Sequence, residues 1–103
     1  MEPVFYTIDN FIHNLSQVKY INIKCMPHQM IHIDGKPREV YCYVIRIYYN
    51  YTLAEDEYIQ HTFLDSENNE MSNLINFLSC LSAFKGYDRN YIYQYLENLK
   101  NLN

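Results

Sequence analysis

The run Cys25-Met26-Pro27-His28-Gln29-Met30-Ile31-His32 places a thiol and two imidazoles within eight residues. Cys25, His28 and His32 are donors suited to zinc, and together they supply three of the four ligands a closed structural site needs. Such sites usually draw on two separated pairs, so Cys42 or His61 would have to complete the set from elsewhere in the fold. The sequence offers no second pair at ligand spacing, and no metal ligand is assigned; the plain alternative is a strand-end cysteine and two surface histidines. Nucleophilic chemistry is no better supported. Cys25, Cys42 and Cys80 all fall on positions that read as core, whereas a reactive thiolate needs partial exposure and positive surroundings. Glu55 and Glu57 make no acid–base pair, since no apolar pocket is implied that would raise the pKa of either. Gly35 and Gly86, the only glycines, form no phosphate-cradling loop. No catalytic residue and no cofactor is expected.

Charge is more informative. Between Arg46 and Lys85 there is no lysine or arginine, yet the window holds Glu55, Asp56, Glu57, Asp65, Glu67 and Glu70. It is formally −6, while the rest of the chain, with six acids and eight bases, is +2. A one-signed field steers partners of the opposite sign. The plain alternative is a solvated face. Direct nucleic-acid binding is not expected. Lys19, Lys24, Lys36, Arg38 and Arg46 could share one side of a sheet near the tyrosines, but a net charge of −4 works against phosphate contacts.

The elements that must position these residues follow from pattern. At 103 residues the chain is one domain, long enough to bury a core without staples. Three cysteines without paired spacing fit a reducing compartment. No basic region followed by an apolar run opens the chain, and no stretch is apolar and long enough to span a bilayer, so a cytoplasmic protein without membrane contact is expected. Thr7 can cap a helix over about Ile8 to Gln17, with Ile8, Phe11, Ile12 and Leu15 on one face. Val18 to Cys25 alternates as a strand, Pro27 interrupts it, and Met30 to Ile33 forms a short strand. Asp34-Gly35 is a hairpin turn. The return strand, about Arg38 to Tyr51, is apolar on both faces and reads as central. A turn over Thr52 to Asp56 leads to a last strand, Glu57 to Leu64. Asp65 or Ser66 can cap a second helix, with Glu67 and Glu70 in its first turn and a stripe of Met71, Leu74, Leu78 and Leu81 joined by Ile75 and Phe77. Gly86 stops it, and Asp88 caps a third helix with the stripe Ile92, Tyr95, Leu96 and Leu99. The class is α+β: an N-terminal helix, a three- to four-stranded antiparallel sheet, and two C-terminal helices packed on one face of the sheet.

Three stretches resemble small acidic phage-encoded anti-CRISPR proteins that inhibit Cas9, of the αβββαα type. Thr7-Ile8-Asp9-Asn10-Phe11-Ile12 is similar to that family's opening helix. Val44-Ile45-Arg46-Ile47, leading to an acidic turn and Glu57-Tyr58, is similar to its central hairpin. Asp65-Ser66-Glu67-Asn68 and Leu81-Ser82-Ala83-Phe84-Lys85-Gly86 are similar to its sheet-to-helix junction and the end of its second helix. The resemblance implies a DNA mimic whose acidic hairpin turn occupies the basic, PAM-reading pocket of Cas9. Glu55, Asp56 and Glu57 match that turn. In the third-helix region Asp88 is followed by Arg89-Asn90-Tyr91-Ile92-Tyr93, where the family has an acidic run, and the segment from about Pro27 to Pro37 is additional.

The expected function is therefore a non-enzymatic inhibitor that binds a basic, nucleic-acid-handling protein, such as a Cas effector, and blocks its nucleic-acid site. The alternative is a cytosolic accessory or structural interaction domain without inhibitory role; a zinc or thiol enzyme is a third class. The expected contact residues are Glu55, Asp56, Glu57 and Asp88, with Tyr49, Tyr51 and Tyr58 as aromatic anchors.

Overall fold

A computed structural model of the chain describes residues 4–51 and 57–102. Strands β1 (Phe5–Ile8) and β2 (Phe11–Asn14) form a small hairpin, followed by a 3-10 turn, Leu15–Gln17. Then come β3 (Val18–Ile33), β4 (Lys36–Tyr49) and β5 (Ile59–Leu64), an antiparallel sheet in the order β3-β4-β5 with β4 central. Helix α1 (Asn68–Ser79), a 3-10 turn at Ser82–Phe84 and helix α2 (Arg89–Asn101) complete the chain. The α+β class and the C-terminal helices after the sheet are as expected; the first helix is not.

Where a helix is expected from Ile8 to Gln17, the chain makes the β1–β2 hairpin. Its turn is Asp9 (φ 49°) and Asn10 (φ 68°), both left-handed, with Ile8 paired to Phe11 and Phe5 to Asn14. Two residues at positive φ give the turn whose twist matches paired strands, and Asp and Asn accept that conformation at low cost. An isolated ten-residue helix is marginal, so turn chemistry prevails over the apolar period. Only Ile8 of the proposed stripe is fully buried; Phe11 and Ile12 are exposed.

Pro27 does not end its strand. A bulge between Pro27 and Gln29 leaves His28 without a cross-strand partner, and pairing continues to Ile33. The extra residue accommodates the proline, which lacks an N–H to donate. Asp34 (φ 53°) and Gly35 (φ 77°) then make the expected turn. Because β5 pairs only with Cys42 to Ile47, the far part of β3–β4 extends as a two-stranded arm, and the molecule is 52 Å long.

The core lies on the face of the sheet that carries Tyr43, Ile45, Ile47 and Tyr49 of β4, with Phe63 of β5 and Cys25 of β3. Leu74, Ile75, Phe77 and Leu78 of α1, Ile92 and Leu96 of α2, and Ile8 of the hairpin close over it. The Tyr43 hydroxyl donates to the Leu96 carbonyl at 2.9 Å and ties α2 to the central strand. Asp88 caps α2, accepting from the Tyr91 N–H at 2.8 Å. Glu67, with no side-chain cap bond, occupies the N-cap of α1 in place of Asp65 or Ser66. Asp65 is committed elsewhere: it accepts from the Tyr41 N–H at 3.0 Å and pairs with the Lys100 ammonium at 3.0 Å. Helix α1 ends at Ser79, seven residues before the expected Gly86 stop. That early end leaves Cys80 exposed, against its expected burial, while Cys25 and Cys42 are buried.

No helix among the described residues is long and apolar enough to cross a membrane.

Candidate functional site

Two regions hold the side chains with chemical or recognition capacity. The first is a line of polar groups buried where the hairpin meets the sheet. β2 turns His13 inward, onto Tyr49 at the end of β4 and His61 on β5. His13 and His61 are the buried polar side chains of the described core, and His13 is completely inaccessible. His13 Nδ1 meets the Tyr49 hydroxyl, and its Nε2 lies 2.7 Å from His61 Nε2. His61 Nδ1 lies 3.6 Å from Asp9 Oδ2, an electrostatic contact longer than a hydrogen bond. The Phe11 and Phe77 rings, at 4.5 and 6.2 Å from the His13 ring, flank the pair.

A 2.7 Å contact between two imidazole nitrogens requires one N–H and one bare nitrogen. One tautomer set satisfies the whole line: Tyr49 O–H donates to His13 Nδ1, His13 Nε2–H to His61 Nε2, and His61 Nδ1–H points at Asp9. Burial, with the neighbouring His61 adding to it, lowers the His13 pKa from 6.5 to about 4. Burial also lowers His61, although Asp9 opposes the shift. Tyr49 is pushed up to about 12, by burial first and by Tyr51 second. Both imidazoles are thus held neutral, and the line acts as a polar clamp fixing the hairpin to the sheet.

Sequence reasoning missed this clamp. The apolar period places His13 in a helix, and the one role the sequence suggests for His61 is that of a metal ligand. The signal was Asp9-Asn10 between apolar residues, a hairpin turn that puts His13 two residues into a strand. Among the described residues no group of three or more His, Cys, Asp or Glu could hold a metal ion. The Cys25, His28 and His32 set is not brought together: Cys25 is buried against the core, while His28 and His32 are exposed on the arm.

The second region is the β4–β5 end of the sheet. Tyr49, Tyr51, Glu57, Tyr58 and Ile59 line a shallow depression of about 300 Å³. Glu57 is exposed, Tyr51 is 67% exposed, and Tyr58 is half-buried. Tyr51 stacks on Tyr49, with ring centres 5.1 Å apart. Tyr49 is only 3% exposed and bonds to His13, so it supports Tyr51 and cannot itself be the anchor that was expected. Glu55 and Asp56, with the expected turn over Thr52 to Asp56, lie outside the described residues. Asp88 belongs to a different element, and its carboxylate is engaged in the α2 cap.

Comparison with protein-family models, curated proteins and solved structures gives no match.

Proposed function

We propose that this protein is a non-enzymatic inhibitor that binds a basic, nucleic-acid-handling protein, a CRISPR effector such as Cas9 being the expected class, and covers its nucleic-acid site. The observation that carries the proposal is an exposed carboxylate and an exposed aromatic ring, Glu57 and Tyr51, on the rim of one depression. Glu55 and Asp56 precede Glu57 in the chain and add two charges of the same sign. Carboxylates approach lysine and arginine side chains that otherwise hold phosphate, raising the association rate, while Tyr51 supplies the desolvated contact that slows dissociation. Burial of the His13–His61 pair favours a binding role over a catalytic one, since a general base must reach its substrate.

The test is a titration of Cas9 with wild type, with the Glu55→Lys/Asp56→Lys/Glu57→Lys variant, and with Tyr51→Ala, at two ionic strengths. The triple reversal is expected to weaken binding by orders of magnitude and Tyr51→Ala by about tenfold or more. Wild-type binding should weaken steeply with salt. Melting temperatures should stay close to wild type, because Glu57 and Tyr51 are exposed and surface substitutions change folding little. Equal affinities for wild type and both variants would overturn the proposal.

A further inference from the structure

The sheet has a second face, turned away from the core. Strand alternation and the cross-strand register place four residues of β3 on it: Tyr20, Asn22, Lys24 and Met26. Tyr48, Arg46 and Val44 of β4 lie beside them, as do Gln60 and Thr62 of β5 and the preceding Tyr58. Three rows result. Tyr20 stacks on Tyr48 at 4.3 Å, and Tyr48 meets Tyr58 at 5.6 Å. In the next row Asn22, Arg46 and Gln60 lie side by side, with Arg46 Nε donating to Gln60 Oε1 at 3.1 Å and its guanidinium 4.6 Å over the Tyr58 ring. Lys24, Val44 and Thr62 form the third. Tyr20, Asn22, Lys24, Gln60 and Thr62 are all exposed.

No Asp or Glu occupies these rows, although the chain is net −4. On β4, Glu39 falls on the other alternation, beside Tyr41, whose hydroxyl lies 3.5 Å from it. Arg38 and Lys36 fall on the same alternation farther along the arm, separated from Arg46 by Val44 and the buried Cys42 and Val40. The fold thus collects bases and aromatic rings that the overall charge conceals, and the expectation against nucleic acid rested on that overall charge.

We propose that this face binds single-stranded nucleic acid. Lys24 and Arg46 hold phosphates, Tyr20, the exposed end of the tyrosine row, stacks a base, and the Asn22 and Gln60 amides offer hydrogen bonds to base edges. Stacking on a sheet surface demands unpaired bases, whose ring faces a duplex would hide. An acidic peptide would answer the charges but would leave the tyrosine row unused. The surface is distinct from the acidic rim of Glu57 and Tyr51, sharing only Tyr58 with its depression, and it does not depend on the inhibitor proposal.

The experiment is fluorescence-anisotropy titration of the whole protein with labelled oligo-U and oligo-dT of about twelve nucleotides, a length within the span such platforms cover. Two phosphate contacts on a single strand predict a loss of about sevenfold in affinity between about 50 and about 200 mM salt. Lys24→Glu/Arg46→Glu should lose at least about tenfold, and Tyr20→Ala several-fold, with Glu57→Lys equal to or tighter than wild type. Lys24→Glu alone, at an exposed position, gives the same direction should the double variant fold poorly; thermal melts report folding. Three results would overturn the proposal: no binding at the lower salt, affinity unchanged in folded Lys24→Glu and Tyr20→Ala, or polyglutamate competing as well as oligonucleotide. The last would assign the face to an acidic protein.

Discussion

At the scale of single residues, His13 is the most consequential side chain. Its folded pKa of about 4 lies below the ordinary 6.5. Between those values the unfolded chain binds more protons than the folded one, so stability rises with pH across the window. The contribution is complete above pH 6.5, is lost as pH falls toward 4, and amounts to on the order of 3 kcal/mol. Burial is the main reason, and the 2.7 Å nitrogen contact adds to it, since two imidazolium rings would oppose two N–H donors. His13→Gln can still accept from Tyr49 and donate to His61 but cannot titrate. Its melting temperature should fall less than that of wild type between pH 6.5 and 4, and parallel slopes would mean that His13 is not the titrating group. The cysteines divide in the same physical way. Burial raises the Cys25 and Cys42 thiols, while Cys80 is exposed beyond the end of α1. One thiol should react quickly with a thiol reagent in the native protein and three in denaturant, with Cys80→Ser removing the fast phase.

At the scale of elements, what could be read from the sequence was set by whether one signal or two competed. Asp34-Gly35 and Asp88 had no rival signal, and the hairpin turn and α2 cap are as expected. At Asp9-Asn10 the turn dipeptide competed with a helical period of Ile8, Phe11, Ile12 and Leu15, and the dipeptide prevailed. Pro27 was legible as a break but not as a bulge, because only a partner strand reveals an extra residue. That Tyr51 and Glu57 line one depression needs only their places on either side of a turn; Tyr49 was not recognisable as buried, since its hydroxyl partner is remote in the chain. The hairpin can be tested at Asn10, where φ is 68°. Asn10→Gly should be neutral or slightly stabilising, whereas in a helix it would cost about 0.3 kcal/mol. Asn10→Val should cost about 1–2 kcal/mol, because a β-branched residue resists left-handed backbone. Urea midpoints of the two variants decide between hairpin and helix.

At the scale of the whole molecule, the acidic window is divided. Glu57 precedes β5, while Asp65, Glu67 and Glu70 follow it, so six strand residues, or about 20 Å, separate the groups. Asp65 also holds Lys100 at 3.0 Å, and its charge is largely spent within the fold. Burial alone would lower the Lys100 pKa; the Asp65 hydrogen bond and charge outweigh it and hold the ammonium above its ordinary value. This pair joins the end of α2 to the β5–α1 junction, and Asp65 additionally accepts from the Tyr41 N–H. Asp65→Ala leaves a part-buried ammonium and a backbone donor without their partner, so a loss of about 1–3 kcal/mol is expected in urea unfolding. The effects on binding should be opposite in pattern. At physiological salt, charges about 20 Å apart are separated by more than twice the screening length of about 8 Å, so the two acidic groups steer independently. Reversing the three consecutive acids, Glu55→Lys/Asp56→Lys/Glu57→Lys, should therefore slow association with a basic partner far more than Glu67→Lys/Glu70→Lys, whose lysines at the positive end of the α1 dipole should each cost folding about 0.3–1 kcal/mol. Stopped-flow association rates measure the difference directly. A larger effect from the helix pair would move the contact surface to the start of α1 and leave the Tyr51 rim as solvated surface.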